Sequence, residues 1–135
     1  MNAPLQLRET LIVVDANLDD YDELIADVGW HGVRTACFAT GEAALRAHDA
    51  SIAVMWIVNA RLPDMAGVAL LAFIRPRTPW ARFFLVGDEY SPDDELAARS
   101  AGASAYLCKP VSAAWLEGCS SRRRLPAIRA GPPFF

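Results

Sequence analysis

The run "IAVMWIV", Ile52 to Val58, places seven apolar residues in succession. A strand covered on one face alternates apolar and polar side chains. An unbroken run therefore predicts a strand buried on both faces, at the centre of a parallel sheet. The run ends on the uncharged Asn59 and passes into "ARLPDMAG", with a Leu62-Pro63-Asp64 turn. A reactive group at the end of such a strand is usually expected to be charged, which makes Asn59 the position to explain.

Four further runs extend the pattern. "LIVVD" (Leu11 to Asp15), "VRTACF", "RFFLVG" and "SAYLCK" each read as a short strand rich in β-branched or aromatic residues. Helical segments lie between them. Tyr21, Leu24, Ile25 and Val28 recur at i, i+3, i+4 and i+7, with Asp19, Asp20, Asp22 and Glu23 at the positive end of the helix dipole and Gly29 suited to the C-terminal cap. Thr40 suits an N-cap for a helix through Ala43, Ala44, Leu45 and Ala47, with Glu42 in its first turn. Val68, Leu71, Ala72 and Arg75 mark a third helix, closed by Pro76 and Pro79. Ser91-Pro92-Asp93-Asp94 combines an N-cap serine, proline at N1 and two acids, and predicts a fourth helix ending near Gly102. Ser112 begins a short fifth helix through Trp115 and Leu116. Strand and helix thus alternate five times. Right-handed crossovers between parallel strands place such helices on both faces of the sheet, giving an α/β fold with a five-stranded parallel sheet.

At 135 residues, 53% of them hydrophobic, the chain has the length and composition of one globular domain. Residues 1–10 read as an N-terminal extension, 11–119 as the folded domain, and 120–135 as a tail rich in arginine and proline. A net charge of -3 gives no general attraction to nucleic acid or anionic membrane. No run approaches the roughly 20 apolar residues of a spanning helix. The N-terminus lacks the basic start and apolar middle of a signal peptide, and a cytoplasmic protein is expected. Cys37, Cys108 and Cys119 show no metal-ligand spacing and read as reduced structural thiols, two of them in buried strands. His31 and His48 stand alone.

Ligands of open parallel α/β sheets bind beyond the carboxyl ends of the strands. The sequence puts Asp15 and Ala16 there after strand one, Asn59 and Arg61 after strand three, Gly87 and Asp88 after strand four, and Lys109 after strand five. No Gly-rich phosphate loop, GxSxG elbow or HExxH motif is present.

"LIVVD", "FATGEAAL", "NARLPDMAG" and "AGASAYLCKP", in this order and spacing, resemble the receiver domain of two-component response regulators, from Leu11 to about Leu116. The resemblance implies a (βα)5 flavodoxin-like fold and a phosphorylation switch. In that family an aspartate after strand three takes a phosphoryl group from a histidine kinase. Two acids after strand one help to hold Mg²⁺, a Ser or Thr after strand four and a Lys after strand five contact the phosphoryl group, and an aromatic residue on strand five reports the state. Lys109-Pro110 and Tyr106, the switch aromatic, match this pattern. Three positions depart from it. The phosphoacceptor position is Asn59, whose amide is a poor nucleophile; Ala16 stands where the second acid belongs; Gly87 replaces the hydroxyl residue.

A typical receiver pocket carries three carboxylates and one lysine, about -2, which Mg²⁺ offsets. Here Asp15, the only remaining acidic ligand, and Lys109 sum to zero, so Mg²⁺ binding is expected to be weak or absent and no other cofactor is implied. Asp15 and Lys109 are expected to pair, with Asn59 donating to the first or accepting from the second. Asp88 reads as a solvated loop acid beside Glu89, with a second contact to Lys109 as the alternative.

The expected function is that of an atypical receiver: a signalling protein-interaction module, not an enzyme, working without aspartyl phosphorylation. Its partner would be a histidine kinase, another regulator or a second copy. The resemblance points to the face formed by helix four, strand five and helix five, where Tyr90, Tyr106 and Trp115 are candidate contacts. Two alternatives are a flavodoxin-like enzyme or small-ligand binder at the strand ends, and a weak nucleic-acid binder through Arg122-Arg123-Arg124.

Overall fold

The computed structural model describes residues 9–117. The tail from residue 120, Cys119, Arg122 to Arg124 and all but the last two residues of the N-terminal extension lie outside the described residues. The strands are β1 (Thr10–Val14), β2 (Arg34–Phe38), β3 (Met55–Asn59), β4 (Arg82–Gly87) and β5 (Ala105–Cys108). They form one sheet in the order β2-β1-β3-β4-β5, every pair parallel. The helices are α1 (Asp22–Trp30), α2 (Gly41–Arg46), α3 (Gly67–Ile74), α4 (Pro92–Ala101) and α5 (Ala113–Glu117).

Strand β3 lies in the middle, as its unbroken apolar run predicts. Its alternate residues feed two different cores. Trp56 and Val58 pack with Ile12, Val14, Phe83 and Leu85 against Ala44 of α2, Leu70, Leu71 and Ile74 of α3, and Ala98 of α4. Met55 and Ile57 join Leu11, Val13, Phe84, Val86 and Leu107 against Leu24 and Val28 of α1 and Leu116 of α5. Burial of both pleat faces explains why the run lacks alternation.

The local signals at two helix starts operate as the sequence predicts. The Thr40 hydroxyl accepts from the Ala43 amide at 3.1 Å, and the Ser91 hydroxyl from the Asp94 amide at 3.2 Å. Gly102 caps α4 with a left-handed φ of 86°.

The structure corrects three local expectations. Strand β3 begins at Met55 rather than Ile52, because the Ile52 and Ala53 amides turn back to the Asp49 carbonyl and close a 3₁₀ turn. Helix α1 runs through Gly29 to Trp30, and Gly32, with φ of 83°, is the residue that reverses the chain. Cys37 is exposed and Cys108 only half-buried, because β2 and β5 are the two edges of the sheet. Among the described residues no helix is long and apolar enough to cross a membrane.

Candidate functional site

The carboxyl ends of β1, β3, β4 and β5 bring Asp15, Asn59, Asp88 and Lys109 into one cluster, and its centre is an ammonium group. Lys109 Nζ lies 2.9 Å from Asp15 Oδ2, 2.7 Å from Asp88 Oδ1 and 2.7 Å from Asp20 Oδ2. The Asn59 amide nitrogen donates to Asp15 Oδ2 at 2.9 Å and to Asp88 Oδ1 at 3.1 Å. Its carbonyl oxygen accepts from the Arg61 main-chain N–H at 2.8 Å, which fixes the amide's orientation. Asn59 thus donates to Asp15, as one sequence expectation had it, and faces Asp88 as well.

Asp15 is buried, at 2% exposure, in a setting that would ordinarily disfavour a charge. It holds that charge by accepting four hydrogen bonds or ion-pair contacts. Its Oδ1 accepts from the Asn17 amide at 2.9 Å, and Oδ2 takes the Tyr21 hydroxyl at 2.7 Å besides Asn59 and Lys109. Burial pushes the Asp15 carboxyl up, but these four donors outweigh it and leave the group below the usual carboxylate range. Burial likewise disfavours the Lys109 charge, while Asp20, Asp88 and Asp15 outweigh it and raise the ammonium above its ordinary value. Asp88 is lowered chiefly by its contact with Lys109. Tyr21, buried and donating to a carboxylate, is raised far beyond the ordinary phenol range.

Two of these groups are not legible from the strand ends. Asp20 and Tyr21 sit on the 3₁₀ turn Leu18–Tyr21, which winds back over the cluster before α1 begins. In sequence Asp20 is one of four acids near a helix start, and nothing singles it out. Asp88 also departs from its default reading as a solvated loop acid, because Lys109 and Asn59 both bind it. The charge sum changes accordingly: three carboxylates against one ammonium leave a formal -2, where Asp15 and Lys109 alone give zero. Among the described residues, no group of three or more His, Cys, Asp or Glu side chains has a geometry able to hold a metal ion.

The remaining positions lie around the cluster rather than in it. Ala16 is exposed beside Asp15. Arg61 points away, its guanidinium 3.1 Å from Asp94 of α4, and so bridges the outer wall of an open cleft of about 340 Å³. Asp88, Glu89, Ser91 and Asp94 line that cleft with Asn59 and Arg61, which makes its mouth predominantly acidic. Gly87 lines the same cleft, against Tyr106. Tyr106 is 6% exposed and so offers little surface to a partner, a correction to its candidacy as a contact. Tyr90 (59%) and Trp115 (40%) are exposed on the face expected for docking, and so is Leu96 (65%), which sequence reasoning passed over. Its signal was present: Leu96 is followed at i+3 and i+4 by Arg99 and Ser100, so it belongs to no apolar stripe of the helix.

The fold and the strand-end cluster together define a class. The family model of the response regulator receiver domain matches residues 11–118, and the chain belongs to that family. Receiver domains are signalling modules that interact with kinases and other proteins and can dimerise. A comparison with curated proteins returned no match. Among solved structures, the chain is similar to a CheY-like receiver domain protein from Methanospirillum hungatei JF-1, with a TM-score of 0.72 and 23% identity over 83% of this chain and 90% of that one. It is also similar to a Burkholderia pseudomallei response regulator with a phosphorylated aspartic acid, calcium ion and citrate (TM-score 0.72, 21% identity, 82% of this chain). The chain spans 65% of the length of that regulator. A third relative is the beryllofluoride-activated NtrC4 receiver domain dimer, with a TM-score of 0.71 and 22% identity over 80% of this chain and 89% of that one.

Proposed function

We propose that this receiver works in two-component, phosphorelay-type signalling as a cytoplasmic protein-interaction module, without phosphorylation at the end of β3 and without catalysing a reaction of its own. The observation that carries this reading is the Asn59 side chain. Its nitrogen donates to Asp15 and Asp88, and its oxygen accepts from the Arg61 main chain, so the amide is fully engaged and presents no nucleophilic oxygen anion. Ala16 and Gly87 support the same reading, since neither supplies the oxygen that the family uses at those positions.

Mg²⁺ fits this cluster poorly, although its formal charge equals that of a metal-binding receiver pocket. Mg²⁺ requires oxygen ligands at about 2.0–2.1 Å in near-octahedral array. The oxygens that face inward already converge on Lys109 Nζ at 2.7 to 2.9 Å, and Asp15 Oδ2 is shared by three donors. In this reading Lys109 performs the charge-gathering role of the metal, and no cofactor is required.

The docking surface would be the face of α4, β5 and α5, where Tyr90, Leu96 and Trp115 are exposed. A histidine kinase, another regulator or a second copy would dock there, the last supported by the dimer described for the NtrC4 receiver. Family membership favours this reading over a flavodoxin-like enzyme and over a nucleic-acid binder.

Incubation of the full chain with a small phosphodonor and Mg²⁺, followed by intact-mass analysis, tests the proposal. No species heavier by the phosphoryl increment of about 80 Da is expected. The Asn59→Asp variant is expected to remain unmodified too, because Ala16 still leaves the metal one ligand short. An adduct on the wild-type chain that base and hydroxylamine remove, as they do an acyl phosphate, would refute the reading.

A further inference from the structure

A second polar assembly lies directly beside the cluster and involves none of its charged groups. The Tyr106 hydroxyl reaches under the loop that joins β4 to α4, where it accepts from the Ser91 amide at 3.1 Å and donates to the Glu89 carbonyl at 3.4 Å. Ser91 is the N-cap of α4, so one phenol holds both the loop and the first turn of that helix. The Tyr90 ring packs edge-on against Tyr106, with centroids 6.0 Å apart. The same loop carries Asp88, which Lys109 holds from the other side.

The space for this hydroxyl exists because residue 87 has no side chain. A Cβ at Gly87 would overlap the Tyr106 hydroxyl, lie 2.7 Å from the Glu89 carbonyl oxygen and stand 3.3 Å from Tyr106 Cζ. The first two contacts are closer than real Cβ atoms tolerate, and one of them is main chain. Any side chain at residue 87 must therefore displace Tyr106, the Glu89 carbonyl or both. No left-handed backbone at residue 87 accounts for the glycine, since the described glycines with positive φ are Gly32 and Gly102.

We propose that Gly87 and Tyr106 form a steric latch that fixes the β4–α4 loop and the start of α4 in a single arrangement. The docking face is then displayed permanently instead of being switched. The latch itself stands on the packing at Gly87. Only its consequence, a face that needs no phosphoryl signal, rests on the function proposed above. The device is specific to this pairing of residues: either a larger residue 87 or loss of the phenol would release the loop.

The test uses the full chain labelled with 3-fluorotyrosine, its three tyrosine resonances assigned from Tyr21→Phe, Tyr90→Phe and Tyr106→Phe variants. A soluble paramagnetic agent should broaden the Tyr90 signal strongly and spare Tyr106 in the wild-type chain. In Gly87→Ala, Tyr106 should broaden to the extent of Tyr90. Tyr106 equally spared in a folded Gly87→Ala whose Ser91 amide exchanges no faster, or Tyr106 already broadened in the wild type, would overturn the latch. Tyr106→Phe supplies a second measurement should Gly87→Ala fold poorly. Loss of one hydrogen bond should speed exchange of the Ser91 amide by about fivefold, and unchanged exchange would also overturn the proposal. Phosphodonor labelling does not enter either measurement, so this proposal and the preceding one fail separately.

Discussion

The two loops that flank the strand-end cluster are anchored in opposite ways. After β3, residues 60–66 are fastened sideways, away from the cluster. The Asp64 carboxylate accepts from the Gly41 and Glu42 amides at 3.0 and 2.9 Å, at the N-terminus of α2, where a negative charge also meets the helix dipole. Met65 packs so closely on Gly41 that a Cβ there would lie 2.5 Å from its sulfur. After β4, residues 88–91 are fastened inward, through Asp88 to Lys109 and through the main chain to Tyr106. One loop takes its main anchors from α2 and meets the cluster only through Asn59, with Arg61 reaching Asp94 across the cleft. The other depends on the cluster and on β5, and it leads directly into α4. The comparison teaches that a change in the pocket's charge should be felt along α4 and little along α3.

The largest expected effect comes from Lys109→Met, which leaves three carboxylates facing one another without their cation. Removing one partner of a buried ion pair costs about 3 kcal/mol or more, and the exposed Asp20 and Asp88 will moderate that loss through solvent. Urea unfolding should show the destabilisation, and amide exchange should rise in residues 88–94 while residues 60–66 keep their protection. Equal loosening of both loops would break the comparison.

Acid gives a smaller effect with a defined sign. The folded Asp15 and Asp88 carboxyls lie below their ordinary value, so their contribution is complete above the unfolded carboxylate range and disappears as pH falls through the folded values. Stability measured by denaturant should therefore be level near neutrality and decline below about pH 4. Lys109, raised above its ordinary value, stays charged across that whole window and adds no slope. Lys109→Met should flatten the decline.

The smallest change is expected from Asp64→Ala. This exposed acid is held low mainly by the Gly41 and Glu42 amides. Its loss should speed exchange at those two amides and leave the Lys109 contacts, read from lysine ammonium resonances, unmoved. A response at Lys109 would mean that the outer loop is coupled to the cluster after all.

Much of this organisation was legible in the sequence because it follows from local chemistry. The Ser91 and Thr40 caps, the central position of β3 and the placing of Asp15, Asn59, Asp88 and Lys109 at strand ends all come from residue type, periodicity and topology. What escaped depends on contacts between distant segments. Asp20 and Tyr21 reach the cluster because the chain enters α1 through a 3₁₀ turn, which no single residue announces. The charge of the pocket was misjudged in part for that reason, the other uncounted carboxylate being Asp88, which Lys109 holds. Gly87 read as a missing hydroxyl, whereas its neighbour in space, Tyr106, lies on the next strand and is visible only once β4 and β5 pair in register. The exposure of Cys37 likewise follows from β2 being an edge, a property of the assembled sheet.

The central claim is that Lys109 serves as the internal cation of this receiver. Thermal unfolding of the wild-type chain and of Lys109→Met, each across a Mg²⁺ titration at constant ionic strength, tests it most directly. The account predicts a wild-type midpoint that Mg²⁺ leaves unmoved and a Lys109→Met midpoint that rises with Mg²⁺, as the freed carboxylates accept the ion in place of the ammonium. A wild-type midpoint that climbs with Mg²⁺ would contradict it.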